Sequence, residues 1–558
     1  MSQSTLTIHL PDLGTNMECE PGVTPLEIHS RLKQKHGTTT PMLALINNHE
    51  SSLSSPIYRS STVAFLDYRD NSGARTYART LVLLLCKAAE ELGYPPIQVE
   101  HAISMGYYGV MPDLPSPDEQ RITALRERMA RLIDEDLCIR RHRITMQEAL
   151  KYFGDKGRER TAELIRSRGR CYVTVTELDG YRDLILGPVL PRTGMLSVFG
   201  LERYMDGFLL RVPDRTDTTR LYPRIEQPKV FEVFQKHLRL IHLLGVEDVA
   251  PLNARIREGK SAHLITVAEA MQEKTISEIA SEITERHRNN GLRVVMIAGP
   301  SSSGKTTTAK RLMTQLITNL LVPQALSLDD FYVNRADTPL DENGHPDYES
   351  LHALDLEYLG RVVRSLIRGE EVQMPKYHFP TGKRVMDPAN RLRLAENDIL
   401  ILEGIHGLNP DLLPGIGDKE VYKLYASALT TLSIDRHNWL STSDNRMMRR
   451  MVRDLKYRGI SAEQTILQWE HVRQGEEKWI FPYQEHADRV FNTAMMYELA
   501  ALRPQAEQAL LRVPEVSPAF RTAERMLRVL RLFEPIEPDA MPGTSLLREF
   551  LGGSLFRY

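Results

Sequence analysis

Apolar positions along the chain change spacing several times, and each change predicts a different element. Thr5–Leu10 alternates apolar and polar residues, Pro25–Lys35 has a helical pattern and Ser61–Asp67 is strand-like, which together predict a small α+β module. Tyr77–Leu92 predicts a strongly apolar helix, stopped by Gly93 and the Pro95-Pro96 pair. The pattern is then mixed to about residue 240, with strand signals at Cys171–Thr176 and Met195–Phe199. Leu264–Arg288 predicts an amphipathic helix: Ala268, Met271, Ile279 and Ile283 share one face, and Glu269, Glu273, Glu278 and Glu282 lie elsewhere. The apolar run Leu292–Ala298 follows directly and predicts a buried strand, as do Gln324–Leu328 and Asp398–Leu402. No internal repeat or low-complexity segment is apparent, and the main domain boundary is expected between residues 245 and 292.

Size and charge narrow the classes. At about 150 residues per domain, 558 residues predict three or four units. The chain is 42% hydrophobic and 26% charged, which excludes a wholly disordered or collagen-like protein. Lys+Arg total 71 against Asp+Glu 73, so no global basic excess points to nucleic acid or a membrane surface. The longest apolar runs, such as Leu81–Cys86, fall far short of the roughly 18 residues of a membrane-spanning helix. No signal peptide is read in the first twenty residues. Cys19, Cys86, Cys138 and Cys171 form no CxxC pair, as expected of thiols in a reducing compartment. A soluble, cytoplasmic, multidomain protein without a membrane partner is the expectation.

The sharpest chemical signal is Gly299-Pro300-Ser301-Ser302-Ser303-Gly304-Lys305-Thr306-Thr307, which satisfies GxxxxGK[ST] between a β-branched strand and the helical pattern Thr307–Leu320. The glycines let the backbone wrap a phosphate at a helix N-terminus. Lys305 can reach the β- and γ-phosphates of ATP, and the Thr306 hydroxyl is placed for Mg²⁺. Two strands end in carboxylates, one running into Asp329-Asp330-Phe331-Tyr332 and the other into Glu403. In a doubly wound parallel sheet both ends meet the ligand crevice, where one acid serves as base and the other holds metal. Between Arg446 and Arg458 six cations accompany one carboxylate. Arg446, Arg449, Arg450 and Arg453 fall at i, i+3, i+4 and i+7, a shared helical face expected to close as a lid on migrating phosphoryl charge.

These motifs carry a resemblance. GPSSSGKTT, SLDDFY, DYESLHALDL, VQMPKYHFPTGKR, ILEGIH and RRMVRDLKYRG, in that order, resemble the uridine kinase/phosphoribulokinase family of P-loop kinases. The resemblance implies an α/β fold with a P-loop doubly wound parallel sheet. It also implies an ATP- and Mg²⁺-dependent enzyme that phosphorylates the 5′-hydroxyl of a nucleoside, uridine first. It makes Asp329 the base, with Lys305 and the lid arginines Arg450, Arg453 and Arg458 completing the catalytic set. It makes Thr306 and Glu403 the metal-associated pair, and Tyr332, Glu349, Tyr377, Phe379 and Gln468 the substrate contacts. Gly382 stands where many relatives have a base-reading His, and His378 is out of register. The C-terminal SLLREFLGGS resembles the long bacterial nucleoside kinases.

The N-terminal part resembles other modules. Residues 1–66 resemble a ubiquitin-like TGS module. Residues 67–245 are similar to the second additional domain of threonyl-tRNA synthetases, on RTYARTLVLLLCKAAEELGYP, HAISMGYYGV and GPVLPRTG. That domain's metal-ligating positions align with Tyr77, Leu81, Ile185 and Val189, which offer no imidazole or thiolate, and His101 remains alone. The expected order is therefore these two domains, a linker and helix at 246–291, the P-loop domain at 292–510 and a tail at 511–558. Two further readings stand beside a nucleoside kinase: a kinase of another small alcohol or sugar phosphate, and an RNA- or ribosome-associated nucleotide sensor. A residual tRNA or RNA contact through the N-terminal region and a homo-oligomer are compatible with each.

Overall fold

The computed structural model describes residues 5–36, 40–112, 114, 116–341, 344–378 and 380–557. Its C-terminal half is organised by Val294–Ala298, in which all five residues are buried. A strand covered on both faces needs apolar residues at successive positions rather than alternate ones, and this one has them. Val295 and Ile297 pack with Ile279, Ile283 and Leu312. Val294 and Met296 pack on the opposite face with Leu359 and Val363. Five strands form the sheet in the order 322–327, 398–403, 294–298, 421–427, 489–492, every pairing parallel. The helix expected at Leu264–Arg288 spans Ser261–Asn290 and lies on this sheet through Ile276, Ile279 and Ile283.

The N-terminal half holds three further sheets. Within residues 6–66 five strands join the helix Pro25–His36. A four-stranded sheet (98–103, 106–110, 200–204, 207–211) and a three-stranded one (139–145, 172–178, 181–183) follow. The apolar helix expected from Tyr77 starts earlier, at Asn71, because the Asp70 carboxylate accepts a hydrogen bond from Ser72 N at 2.7 Å and caps it. The strand expected at Met195–Phe199 is absent. A 3₁₀ turn occupies Thr193–Met195 and the strand begins at Gly200. The backbone groups a neighbouring strand would have used are taken by one side chain: Tyr77 Oη accepts from Ser197 N and Val198 N, both at 3.0 Å, and donates to Val198 O at 2.8 Å. Among the described residues no helix is long and apolar enough to cross a membrane.

The halves share one core. A single apolar cluster runs from Ile144 and Leu164 through Leu432 and Met451 to Phe550. Beside it, Asp183 accepts from Arg158 Nη2 at 2.5 Å and from His437 Nδ1 at 2.6 Å. Burial opposes a charged imidazole, but the Asp183 carboxylate outweighs it and lifts His437 to about 10. His437 thus stabilises the fold most below its unfolded value near 6.5, and that contribution is lost as pH rises through about 10. Asp183→Asn should cost about 3–5 kcal/mol, because two buried cations lose their counter-charge. The urea midpoint should drop accordingly, and its decline between pH 8 and 10 should flatten.

Candidate active site

The crevice is built where strand ends meet. Ile297 pairs with Glu403, and Ser327 pairs with Glu403 on the other side. The phosphate loop, Glu403 and Asp329 therefore emerge together at the carboxyl edge of the sheet, where α/β folds bind ligands. Gly299 is required by close approach, since a Cβ there would lie 2.0 Å from Ala426 O. Lys305 opens the helix Lys305–Thr318, and its Nζ donates to Gly299 O at 2.9 Å and Pro300 O at 3.1 Å. Thr306 Oγ1 donates to Glu403 Oε1 at 2.8 Å.

Acids crowd this edge. Burial pushes Glu403 up to about 7 against the pull of Lys305, and Asp329 and Glu549 push it further. Burial likewise pushes Glu349 up to about 7, with Glu476 adding to it. Asp329 meets solvent at the mouth of the crevice, yet the walls and then Asp330 hold its carboxyl above the usual range despite Lys305. Glu403 Oε2, Ser302 Oγ and Ser303 Oγ are buried without a hydrogen-bond partner. Hard oxygen donors beside a glycine-lined loop, with carboxylates short of counter-charge, fit Mg²⁺ and a polyphosphate. Thr306 and Glu403 are the residues that would hold the ion.

The arginine face expected from spacing divides in two. Arg446 and Arg449 are 1% and 0% exposed and cannot close as a lid. Arg446 pairs with Glu476 and donates from Nε to Ser301 O at 2.9 Å. Arg449 pairs with Glu498 and donates to Thr493 O at 2.9 Å. The other arginines gather on buried Asp454, with Arg450 at 3.3 Å, Arg453 at 2.8 Å and Arg458 at 3.6 Å. Arg450 also donates to Ser301 Oγ at 2.9 Å, so it borders the phosphate loop. Asp454 lies one helical turn from both Arg450 and Arg458, a spacing the sequence does show, whereas nothing in the spacing points to Glu476 or Glu498, 30 and 49 residues from their arginines. Glu549 was equally hidden: its Oε2 accepts from Thr307 Oγ1 at 2.6 Å, which docks the C-terminal segment on the loop.

On the acceptor side, Tyr332 donates to Tyr348 O at 3.2 Å, and its ring lies 5.7 Å from that of Tyr377. Asp330 fixes this wall by accepting from Tyr377 N and Lys376 Nζ, both at 3.1 Å. Glu349 packs on Gly475, where a Cβ would come within 2.5 Å of its own. Gln468 is exposed on the same helix, Ala462–Trp479, about 10 Å along the axis from Gly475, and is not brought to the other contacts. Phe379 lies outside the described residues. Gly382 sits in the left-handed region at φ +64°, and a Cβ there would meet the Arg335 side chain at 2.7 Å. The turn thus demands glycine at this position.

In the N-terminal half, Tyr77, Leu81, Ile185 and Val189 come together in one apolar cluster, a donor set unable to hold zinc. His101 is buried against the Phe234 ring at 3.7 Å, and burial lowers it to about 3. Among the described residues, one ligand-type group does form across the two halves, Cys86, Asp183 and His437. The Arg158 guanidinium lies 2.5 Å from Asp183 and 3.1 Å from His437, so Asp183 already has a positive counter-charge.

The crowding has a measurable consequence. A carboxyl raised to about 7 from an unfolded value near 4.5 destabilises the fold once it ionises. Glu403→Gln should therefore raise stability at pH 8 by on the order of 1–3 kcal/mol and abolish Mg²⁺-dependent tightening of ATP binding. Calorimetry with ATP, with and without Mg²⁺, reads both effects.

Residues 294–500 match the model of the Phosphoribulokinase / Uridine kinase family. The uridine kinase of Halobacterium salinarum is 28% identical over 195 residues, covering 34% of this chain and 76% of that protein. The threonine–tRNA ligase of Phocaeicola vulgatus is 29% identical over 221 residues, 39% of this chain, in the N-terminal region. This chain spans about a third of that ligase, 34% of its length. A solved structure of a possible uridine kinase from Bacillus stearothermophilus is 20% identical, covers 36% of this chain and 89% of that one, and has a TM-score of 0.24. Residues 294–500 thus form a domain of the phosphoribulokinase/uridine kinase family.

Proposed function

We propose that the chain is an ATP-dependent nucleoside kinase acting on the 5′-hydroxyl, with uridine the first-choice acceptor. One observation carries the reading: Asp329 follows a strand whose Ser327 is in register with Glu403, while Glu403 accepts from Thr306 of the phosphate loop. A base, a metal-holding pair and a phosphate cradle thereby share one crevice. A nucleotide sensor needs no acceptor base.

In this mechanism Lys305 and the loop N–H groups hold the β- and γ-phosphates. Thr306 and Glu403 would hold Mg²⁺, which when bound would supply counter-charge to the phosphate oxygens. Asp329 takes the acceptor's hydroxyl proton as that oxygen bonds to the γ-phosphorus. The bond from the γ-phosphorus to the bridging oxygen breaks and ADP leaves, after which Asp329 releases its proton to solvent. Arg450, Arg453 and Arg458 balance charge on the migrating group, and Asp454 keeps them oriented. Tyr332 and Tyr377, their rings tilted 59° to one another, offer aromatic surface to the acceptor, and Glu349 a hydrogen-bond acceptor for ribose hydroxyls.

A second acceptor class, a sugar phosphate or another small alcohol, is favoured by Gly382, whose turn against Arg335 leaves no side chain to read a base. Product analysis with Mg²⁺-ATP and a panel of nucleosides, sugar phosphates and tRNA separates the readings. Phosphorylation of a nucleoside at the 5′ position, well above every other acceptor, is the expected result. Asp329→Asn should lower kcat by about 10²–10⁴ while ATP binding persists. Near-normal turnover of that variant would remove Asp329 from the mechanism.

A further inference from the structure

A cavity of about 1040 Å³ lies away from the phosphate loop and shares no residue with it. One wall comes from the antiparallel strands Ile139–Thr145 and Tyr172–Leu178. Arg141 and Arg143 are two apart on the first strand, so both point to one side. Arg168 and Arg170 join them from the turn before the second strand. The opposite wall is built far along the chain, by Arg503 and by Arg528 and Arg531 at the end of the helix Phe520–Leu530. Seven arginines face two carboxylates, Glu524 and Glu534.

The two walls differ in how their charge is met. On the second wall Arg503 and Arg531 lie 3.3 and 2.7 Å from Glu507, and Arg528 lies 3.6 Å from Glu524. On the first wall Arg141, Arg143, Arg168 and Arg170 have no carboxylate within 4.0 Å among the described residues. Arg141 Nε is buried and lacks any hydrogen-bond partner. Burial, with Arg528 adding repulsion, holds the Arg141 guanidinium down at about 10, and burial with Arg170 and Arg528 lowers Arg168. A solvated basic face would keep its guanidinium groups hydrated and apart. Here cations that repel one another are held partly desolvated around one space, an arrangement that a multivalent anion relieves.

We propose that this cavity binds a small ligand bearing two or more phosphates, of nucleoside-triphosphate size. Its volume falls in the range of small-molecule sites. Helix Phe520–Leu530 closes its far side, which favours a compact ligand over a nucleic-acid duplex. The Tyr172 ring, with Arg143 5.2 Å from its centre, offers a surface for a base to stack on.

Equilibrium dialysis of the full chain against inorganic tripolyphosphate, and separately against UTP, tests the site. The wild-type chain should hold one more tripolyphosphate, and one more UTP, than the double variant Arg141→Ser/Arg168→Ser. Each single substitution should weaken this second site about ten-fold or more, and raised salt should weaken it further. A thermal midpoint no lower than that of the wild type shows the double variant to be folded; if it is lower, Arg170→Ser at the exposed rim is read in the same way. Equal stoichiometry in wild type and variants overturns the proposal. So does single-stranded RNA that binds through these arginines and resists displacement by saturating tripolyphosphate and UTP, since the cavity would then belong to RNA.

Discussion

Two buried arginine–carboxylate pairs hold the phosphate loop from behind, and the rest of the site depends on them. Arg446–Glu476 and Arg449–Glu498 are almost solvent-free, and their guanidinium groups reach the loop carbonyls of Ser301 and Ser302. Glu476 also accepts from Ser301 N at 3.0 Å, and Thr493 Oγ1 donates to Ser303 O at 2.5 Å. With these groups fixed from outside, the loop cannot turn its carbonyls toward a bound phosphate. Separating either pair would leave an uncompensated buried charge, so the pairs tolerate little movement. They also set the register of the helix Thr442–Tyr457, and through it the position of Arg450 and Arg453 beside the loop.

The inner side of the loop is the reverse case. Asp329, Glu349, Glu403 and Glu549 surround one lysine, whose own charge burial disfavours. Three of these acids are raised from their ordinary range, and several buried oxygens lack partners. Local instability of this kind concentrates where a ligand completes the charge balance. The outer pairs make the crowding tolerable, because a rigid loop cannot relax away from it.

The N-terminal half is joined to this machinery by contact. The Arg158–Asp183–His437 network and the shared apolar cluster cross the seam. The arginine-lined cavity lies along the same seam. The helix forming its second wall also carries Arg525, which pairs with Asp444 in the first turn of the arginine-rich helix. One ion pair therefore separates that wall from the helix that braces the phosphate loop.

Local pattern was enough for some of this. The loop GPSSSGKT, the helix around Leu264–Arg288 and the apolar strands Val294–Ala298 and Asp398–Glu403 are legible because contiguous residues fix their periodicity and turn chemistry. The strand-end positions of Asp329 and Glu403 follow from the same pattern. What each charge does was decided by residues far along the chain. Arg446 and Arg449 read as a lid face until Glu476 and Glu498, 30 and 49 residues away, bury them. Met195–Phe199 reads as a strand until the Tyr77 hydroxyl takes its backbone hydrogen bonds. Cys86, Asp183 and His437 have no spacing to notice, since Asp183 and His437 lie 254 residues apart. Sequence by itself determined the elements around the phosphate loop and where phosphate chemistry sits, because backbone hydrogen bonding and apolar spacing are short-range. Only the tertiary structure decided which charges are structural and which face a ligand, because burial and pairing are set by whatever the fold brings alongside.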